Sequence, residues 1–198
     1  MTDSGSSAAV AIRPARLADA PGIAGVHVET WRASYAGIIG DRYLVGLDDC
    51  TQTLQWRREI MSRASGGGVL VAEVSGRGGS EVVGFGSYGR RRSVALPYAG
   101  EIYTLYVAVD WQGVGIGQRL LGGLFERMVK AGCESAFLWV LSENPSRFFY
   151  EAQAGRPVAQ RQEAFDGSLL DETAYAWPDL AGWIAAQTQS SDGPRGPT

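Results

Sequence analysis

The sequence is poor in the side chains that usually hold metal ions. Its 198 residues include two cysteines, Cys50 and Cys133, and one histidine, His27. These are too few for a structural zinc site, and a single histidine also disfavours a Ser–His or Cys–His nucleophile pair. We therefore expect no metal site. We interpret both cysteines as reduced, small apolar side chains of a cytoplasmic protein.

Long apolar runs and an excess of basic residues are missing as well. No stretch reaches the roughly 18 apolar residues that a membrane-spanning helix needs, and the N-terminus lacks the pattern of a signal peptide. The formal net charge is −3 and Lys130 is the only lysine, which argues against binding through neutralisation of nucleic-acid phosphates. We expect neither a membrane nor a nucleic-acid partner, and the acidic balance mildly favours a cationic one.

The pattern along the chain predicts one mixed α/β domain. Its predicted elements run strand, helices, three strands, helix, strand, helix and two strands, without a repeat or a linker. We expect flexible tails over residues 1–9 and 187–198 and a single domain over residues 10–186. Residues 101–109 are interpreted as one fully buried strand, and residues 144–155 as a short helix with proline at its second position.

A glycine-rich segment stands where the longest amphipathic helix must begin. Residues 110–132 read DWQGVGIGQRLLGGLFERMVKAG, although glycine costs a helix about 1 kcal/mol per site. A glycine turn from a strand into a helix presents backbone N–H groups that suit a phosphate. The segment matches neither the P-loop, which needs Gly-Lys-Ser/Thr, nor the dinucleotide pattern G-x-G-x-x-G. A tight turn without a ligand is the alternative.

This segment resembles the acetyl-CoA pyrophosphate motif Q/R-x-x-G-x-G/A of the GNAT superfamily of N-acetyltransferases. AGEIYTLYVAVDWQGVGIGQRLL is similar to the family's fourth strand, loop and helix, and FLWVLSENPSRFFYEAQAG to its fifth strand and following helix. HVETWRASYAGIIGDRYL resembles the first-helix region. The resemblance implies an α/β (α+β) fold with a mixed, mostly antiparallel sheet of six to seven strands, flanked by helices and with splayed central strands. It also implies acetyl-CoA as co-substrate and acetyl transfer to a primary amine.

The resemblance implies chemical roles for three residues. The backbone N–H of Val107 would polarise the thioester carbonyl, Glu101 would act as general base, and Tyr150 would protonate the leaving thiolate. Two of these residues have ordinary alternatives. Glu101 could be a strand-end carboxylate paired with an arginine of the 90–92 run, and Tyr150 could be a packed aromatic of the FFY triplet.

The resemblance also implies a set of contacts with the cofactor. Gln112 and Val114 stand where many family loops carry a basic side chain, so the pyrophosphate would rest mainly on backbone N–H groups, with Arg119 or Arg147 nearby. Asn144 would bind pantetheine or cap its helix. The cofactor-binding residues expected on this basis are Val107, Val109, Gln112, Gly113, Val114, Gly115, Ile116, Gly117, Gln118, Asn144 and Arg147.

The acceptor is the open part of the interpretation. Trp31, Tyr35 and Tyr103 are the expected substrate-binding residues, although core packing explains the helical spacing of the first two equally well. The acceptor could be a small-molecule amine or a peptide amine, and a homodimer is left open. Two other classes remain: a non-catalytic acyl-CoA-binding or interaction domain on the same fold, and a nucleotide or dinucleotide enzyme.

Overall fold

A seven-stranded mixed sheet organises the chain. The computed structural model describes residues 9–62, 66–76, 79–92 and 94–191. The strands are β1 (Ala9–Pro14), β2 (Gly68–Gly76), β3 (Gly79–Arg90), β4 (Gly100–Val107), β5 (Ala136–Leu141), β6 (Arg156–Phe165) and β7 (Ser168–Trp177). Their order is β1-β2-β3-β4-β5-β7-β6. Every neighbouring pair is antiparallel except β4 and β5, which are parallel. The predicted fold class is confirmed.

Helices cover both faces of the sheet. They are α1 (Ala20–Ser34), α2 (Asp41–Gly46), α3 (Asp49–Met61), α4 (Ile116–Lys130), α5 (Arg147–Ala152) and α6 (Leu180–Ser191). α1 and α3 pack against one face through Val69, Val71 and Phe85, and α2 packs beside α1 in a smaller cluster. The last three pack against the other face, in the core that contains Leu70 and Ala72. The alternation of β2 side chains separates the two cores.

The helix after the glycine segment is the centre of the larger core. Its buried side chains recur at helical spacing, from Ile116 and Leu120 to Leu124 and Met128. It ends where predicted, because Gly132 follows with φ +82° and supplies the left-handed residue that a helix stop requires. The amphipathic pattern therefore predicts this helix correctly.

The fourth strand is shorter and less buried than the sequence predicts. It ends at Val107, and Val109–Trp111 forms a 3₁₀ turn instead of continuing the strand. From Tyr103 onward its residues are only half buried. The physical reason is the contact with β5, since the described residues of the two strands pair only at Gly100 with Ala136 and at Glu101 with Phe137. Beyond that point the strands splay and leave one edge of β4 open.

Two boundaries near the C-terminal half also differ from the prediction. The short helix begins at Arg147 rather than Asn144, because Pro145 and Ser146 form a turn before it. The last helix runs to Ser191, where a flexible tail was expected from residue 187. The expected N-terminal tail falls on residues 1–8, outside the described residues, and on Ala9, which begins β1. No helix among the described residues is long and apolar enough to cross a membrane.

Candidate active site

The splay between β4 and β5 opens a cleft of ≈ 1010 Å³ that passes through the sheet. On the α4 and α5 face it is lined by a set that we call the loop half: Gln112, Gly113, Gly115, Gly117, Gln118, Asn144, Phe149 and Tyr150. On the α1 and α2 face it is lined by a set that we call the aromatic half: Trp31, Tyr35, Tyr103, Tyr106, Trp139, Glu163, Phe165 and Glu172. The two halves meet beside the end of β4, whose Val107 also lines the cleft.

The glycine loop has the backbone geometry of an anion site. Gly113 and Gly115 have φ values of +75° and +87°, and a Cβ on either would meet nothing within 4 Å. Glycine is therefore required by conformation, and the space in front of the loop is open. The amide of Arg119 is the first to bond back into the helix, to the Gly115 carbonyl at 3.1 Å. The preceding amides have no helical partner and carry the positive end of the helix dipole.

The end of β4 presents a backbone donor to the cleft. Ala108 donates its N–H to the Val83 carbonyl at 2.9 Å on the β3 side. Because successive N–H groups of a strand alternate in direction, that of Val107 is directed to the opposite edge, which β5 has left. The side-chain Nε2 of Gln112 donates to the Val107 carbonyl at 3.0 Å and ties the glycine loop to this strand end. Gln112 therefore supports the loop with its side chain.

Part of the predicted cofactor set has its side chains outside the cleft. Val114 is exposed and Ile116 is buried in the core, so only their backbone groups can face a ligand. Arg147 stacks on the ring of Phe148 at 4.5 Å, and Arg119 donates to the Val10 carbonyl at 2.7 Å. Neither arginine is among the lining residues, whereas Val109 and Gln118 are. The described part of the loop half is thus lined without a basic side chain.

Tyr150 lies in the loop half with its ring buried against Tyr175 and Trp177. Burial raises the pKa of the Tyr150 phenol, and the nearby Tyr35 phenol raises it further. The group is therefore protonated at neutral pH, as a proton donor must be. This placement satisfies a requirement of the predicted acid role without testing it.

Asn144 joins the two halves of the cleft. Its Oδ1 accepts from the amide and the hydroxyl of Ser146 at 2.8 and 2.7 Å, which caps the turn before α5. Burial raises the pKa of the Tyr35 phenol, and the nearby Asn144 side chain partly offsets this. Asn144 therefore forms a turn before α5 instead of capping that helix, whose N-cap is Ser146, and it lies near Tyr35 across the cleft.

The aromatic half brings the three predicted acceptor residues together. Trp31 packs edge-on against Tyr35 with 4.9 Å between ring centroids, and the Tyr35 hydroxyl lies 3.4 Å from that of Tyr106. The indole Nε1 of Trp31 is buried and makes no hydrogen bond of good geometry with the described residues. Its proximity nevertheless lowers the pKa of the Tyr106 phenol, which burial raises much further. Tyr103 is half buried, and its hydroxyl donates to the Arg90 carbonyl at 2.7 Å.

Glu101 does not line the cleft. Its carboxylate is buried and accepts from the Arg92 amide at 2.8 Å and from the Arg92 guanidinium at 3.0 and 2.6 Å. Six residues of extended strand separate it from Val107, which corresponds to about 20 Å. The ion pair with Arg92 is the one that the alternative expected of a strand-end carboxylate beside the 90–92 run. The base role of Glu101 stays a prediction, and its distance from Val107 does not support it.

Sequence reasoning missed five residues that line the aromatic half. They are Tyr106, Trp139, Glu163, Phe165 and Glu172. The first two belong to the splayed strands. Trp139 could have been found by alternation from Leu141, whereas Tyr106 is three residues from Tyr103 and shares its face because the register of β3 and β4 shifts there. The other three come from the β6–β7 hairpin, which no local signal places beside β5. Within the described residues, no group of three or more His, Cys, Asp and Glu side chains is arranged to hold a metal ion.

Comparison with known proteins identifies related sequences over most of the chain. Residues 31–155 match the model of the acetyltransferase (GNAT) family. The "Uncharacterized N-acetyltransferase YuaI" of Bacillus subtilis is 37% identical over 172 residues, which cover 87% of this chain and 95% of that protein. The "Probable N-acetyltransferase Rv2775" of Mycobacterium tuberculosis is 32% identical over 177 residues, with 87% of each chain covered.

The fold is shared with solved structures as well. The structure of yncA from Salmonella typhimurium with its cofactor acetyl-CoA superimposes with a TM-score of 0.63 and 24% identity. The match covers 96% of this chain and 98% of that one.

Proposed function

The chain belongs to the acetyltransferase (GNAT) family, and we propose that it moves an acetyl group from acetyl-CoA to a primary amine of a small molecule or peptide. The observation that carries the proposal is the cleft through the sheet. One of its two halves offers backbone amides suited to a diphosphate, and the other offers an aromatic chamber. Donor and acceptor would enter from opposite faces and meet beside Val107.

Backbone groups would hold the donor. The unpartnered amides at the start of α4 and the open space before Gly113 and Gly115 suit the diphosphate of acetyl-CoA. The free edge of β4 at its end, near Val107, suits the amides of its pantetheine arm. The Val107 N–H would then donate to the thioester carbonyl oxygen and stabilise the negative charge that develops there.

Tyr150 would complete the transfer. The amine nitrogen attacks the carbonyl carbon, a C–N bond forms, and the C–S bond breaks with its electron pair remaining on sulfur. The Tyr150 phenol gives its proton to that sulfur and regains one from the nitrogen, while the proton that the starting ammonium loses passes to solvent. The position of Tyr150 in the loop half supports this role, and its phenol is protonated at neutral pH.

A thiol-release assay tests the proposal. Free CoA should form from acetyl-CoA only when an amine from a broad panel is added. Replacing Tyr150 by phenylalanine should lower kcat by about 10²–10⁴-fold and leave acetyl-CoA binding unchanged. Tyr98→Phe is the matched control, since Tyr98 packs on Phe137 and does not line the cleft.

Two results would redirect the proposal. An unchanged rate in Tyr150→Phe with a good acceptor would remove that residue from the chemistry. Tight acetyl-CoA binding without CoA release for any amine would favour the alternative, a non-catalytic acyl-CoA-binding domain on the same fold.

A further inference from the structure

The charged groups of the aromatic half are all of one sign. Among the described residues that line the cleft, the ionisable side chains of this half other than tyrosine are Glu163 and Glu172, and none is lysine or arginine. Two arginines pack on aromatic rings that line the aromatic half. Arg161 lies over the Trp139 ring at 4.2 Å, and Arg92 lies over the Tyr103 ring at 4.4 Å.

Both arginines already have carboxylate partners. Arg161 contacts Glu172 at 2.7 Å and Glu163 at 3.5 Å, and Arg92 contacts Glu101 at 2.6 Å. With these partners counted, the chamber and its walls hold three carboxylates and two guanidinium groups. The aromatic half is therefore suited to a positively charged ligand group. A negatively charged ligand group would find both of these arginines already paired with carboxylates.

Glu172 keeps one oxygen available. Its Oε2 accepts from Arg161 Nε and also contacts Nη2, both at 2.7 Å, whereas Oε1 makes no hydrogen bond with the described residues. The side chain is mostly buried, with 16% of its surface exposed, and it lines the cleft. The negative charge of Glu172 also raises the pKa of the Tyr35 phenol, so its field reaches the place where the two halves meet.

The register of the sheet places Glu172 near the end of β4. Glu172 pairs with Leu141 on β5, and continuing the register of Glu101 with Phe137 sets Leu141 level with Leu105 on β4. Leu105 lies two residues before Val107, about 7 Å along the strand. Along the strand direction Glu172 is thus about 7 Å from the level of Val107, with β5 between β7 and β4, whereas Glu101 is about 20 Å from that level.

We propose that Glu172 binds the ammonium group of the acceptor through Oε1, and that the chamber selects an amine with an apolar or aromatic body and no carboxylate beside the nitrogen. The inference rests on the proposed acetyltransferase function and names the acceptor class for that same site. The rings of Trp31, Tyr35 and Trp139 supply apolar surface and faces that attract a cation. A carboxylate beside the amine would lie against Glu172 and Glu163, with both neighbouring arginines already engaged.

The first experiment compares matched acceptors in the thiol-release assay. 2-Phenylethylamine and phenylalanine differ by one carboxylate, and so do tyramine and tyrosine. We expect kcat/KM for each amine to exceed that for its amino acid by at least about tenfold, the factor that an unfavourable charge contact in a partly buried site produces. Equal values, or a preference for the amino acids, would overturn the proposal.

The second experiment removes the carboxylate. Glu172→Gln should raise KM for 2-phenylethylamine by at least about tenfold, leave KM for acetyl-CoA unchanged, and reduce the preference for amine over amino acid because Arg161 loses its partner. Asp171→Asn is the matched control, since Asp171 is the exposed neighbour that bonds to Gln162. An unchanged preference in Glu172→Gln, or the same change in Asp171→Asn, would contradict the assignment.

A binding measurement separates this inference from the proposed reaction. If acetyl-CoA binds but no amine releases CoA, the proposed function fails by itself. Calorimetry of 2-phenylethylamine with the CoA-loaded protein then decides the acceptor site. Binding to wild type that Glu172→Gln weakens at least about tenfold supports the site, and equal or absent binding in both proteins overturns it.

Discussion

His27 makes the stability of the fold depend on pH in a way that can be measured. Its ring lies behind the aromatic half, stacked on Tyr106 at 5.8 Å and edge-on to Trp31 at 5.3 Å. Nδ1 accepts the Trp56 indole N–H at 3.1 Å, so the ring is neutral in the folded state. Phe85 completes the ring contacts, and none of these neighbours is charged near neutral pH. His27 is therefore a packed, neutral side chain of the fold.

The size of the effect follows from the pKa of His27. Burial lowers this pKa from 6.5 to about 4. Between these values the unfolded chain binds a proton that the folded chain does not, so stability falls as pH falls from 6.5 towards 4. With about 1.4 kcal/mol per pKa unit, the loss is about 2 kcal/mol at pH 5 and reaches about 3 kcal/mol below pH 4. Above pH 6.5 the residue contributes no pH dependence.

Urea unfolding at pH 8 and pH 5 tests this value, with His27→Gln as the comparison because glutamine can still accept from Trp56 without titrating. Other groups contribute equally to both proteins and cancel in the difference. We expect wild type to lose about 2 kcal/mol more than His27→Gln between the two pH values. The same pH dependence in both proteins would refute the reasoning, since it would mean that His27 is protonated in the fold at little cost.

Three other substitutions probe the proposed cofactor contacts and the ion pair of Glu101. Gly115→Val should abolish acetyl-CoA binding, measured by calorimetry. The control Gly132→Val, at a similar φ of +82° beyond the other end of α4, should lower stability and leave binding intact. Binding retained by Gly115→Val would contradict the assignment of the diphosphate to this loop. Glu101→Gln should lower the free energy of unfolding by about 1–2 kcal/mol and change kcat less than about threefold. A large fall in kcat at unchanged stability would instead support Glu101 as the general base. Arg147→Ala should change KM for acetyl-CoA less than about threefold, because backbone amides hold the diphosphate; a shift of tenfold or more would show a direct phosphate contact.

Local patterns predicted the frame of the fold. The apolar spacing of residues 116–128 gives a helix that buries one face, and alternating residues flank the Asp166-Gly167 turn, where both residues have positive φ. The loop half was predictable for the same reason, since its glycines, strand and helix are consecutive in the chain. Motifs that are contiguous in sequence specify contiguous pieces of the site.

The aromatic half was only partly predictable because its walls come from distant parts of the chain. β7 lies between β5 and β6, and no residue of the hairpin indicates which neighbour it will join. The position of β7 beside β5 brings three residues of the hairpin to the cleft: Glu163, Phe165 and Glu172. The pairing of Glu101 with the 90–92 run could be given only as an alternative for a related reason, because its partner Arg92 belongs to a loop whose course is set by tertiary contacts.

Because β4 and β5 splay, one half of the cleft presents mainly backbone groups and the other presents mainly side chains. Where a strand edge inside a sheet is open, its N–H and C=O groups lack the hydrogen-bond partners that a neighbouring strand would supply. Between Glu101 and Val107, β4 bonds to β3 on one side and faces the cleft on the other. The loop half therefore depends on backbone conformation, which few substitutions other than those of glycine disturb. The aromatic half is built from side chains of α1, β4, β5 and the β6–β7 hairpin, so under the proposed function substitutions there can change the acceptor without altering the cofactor contacts.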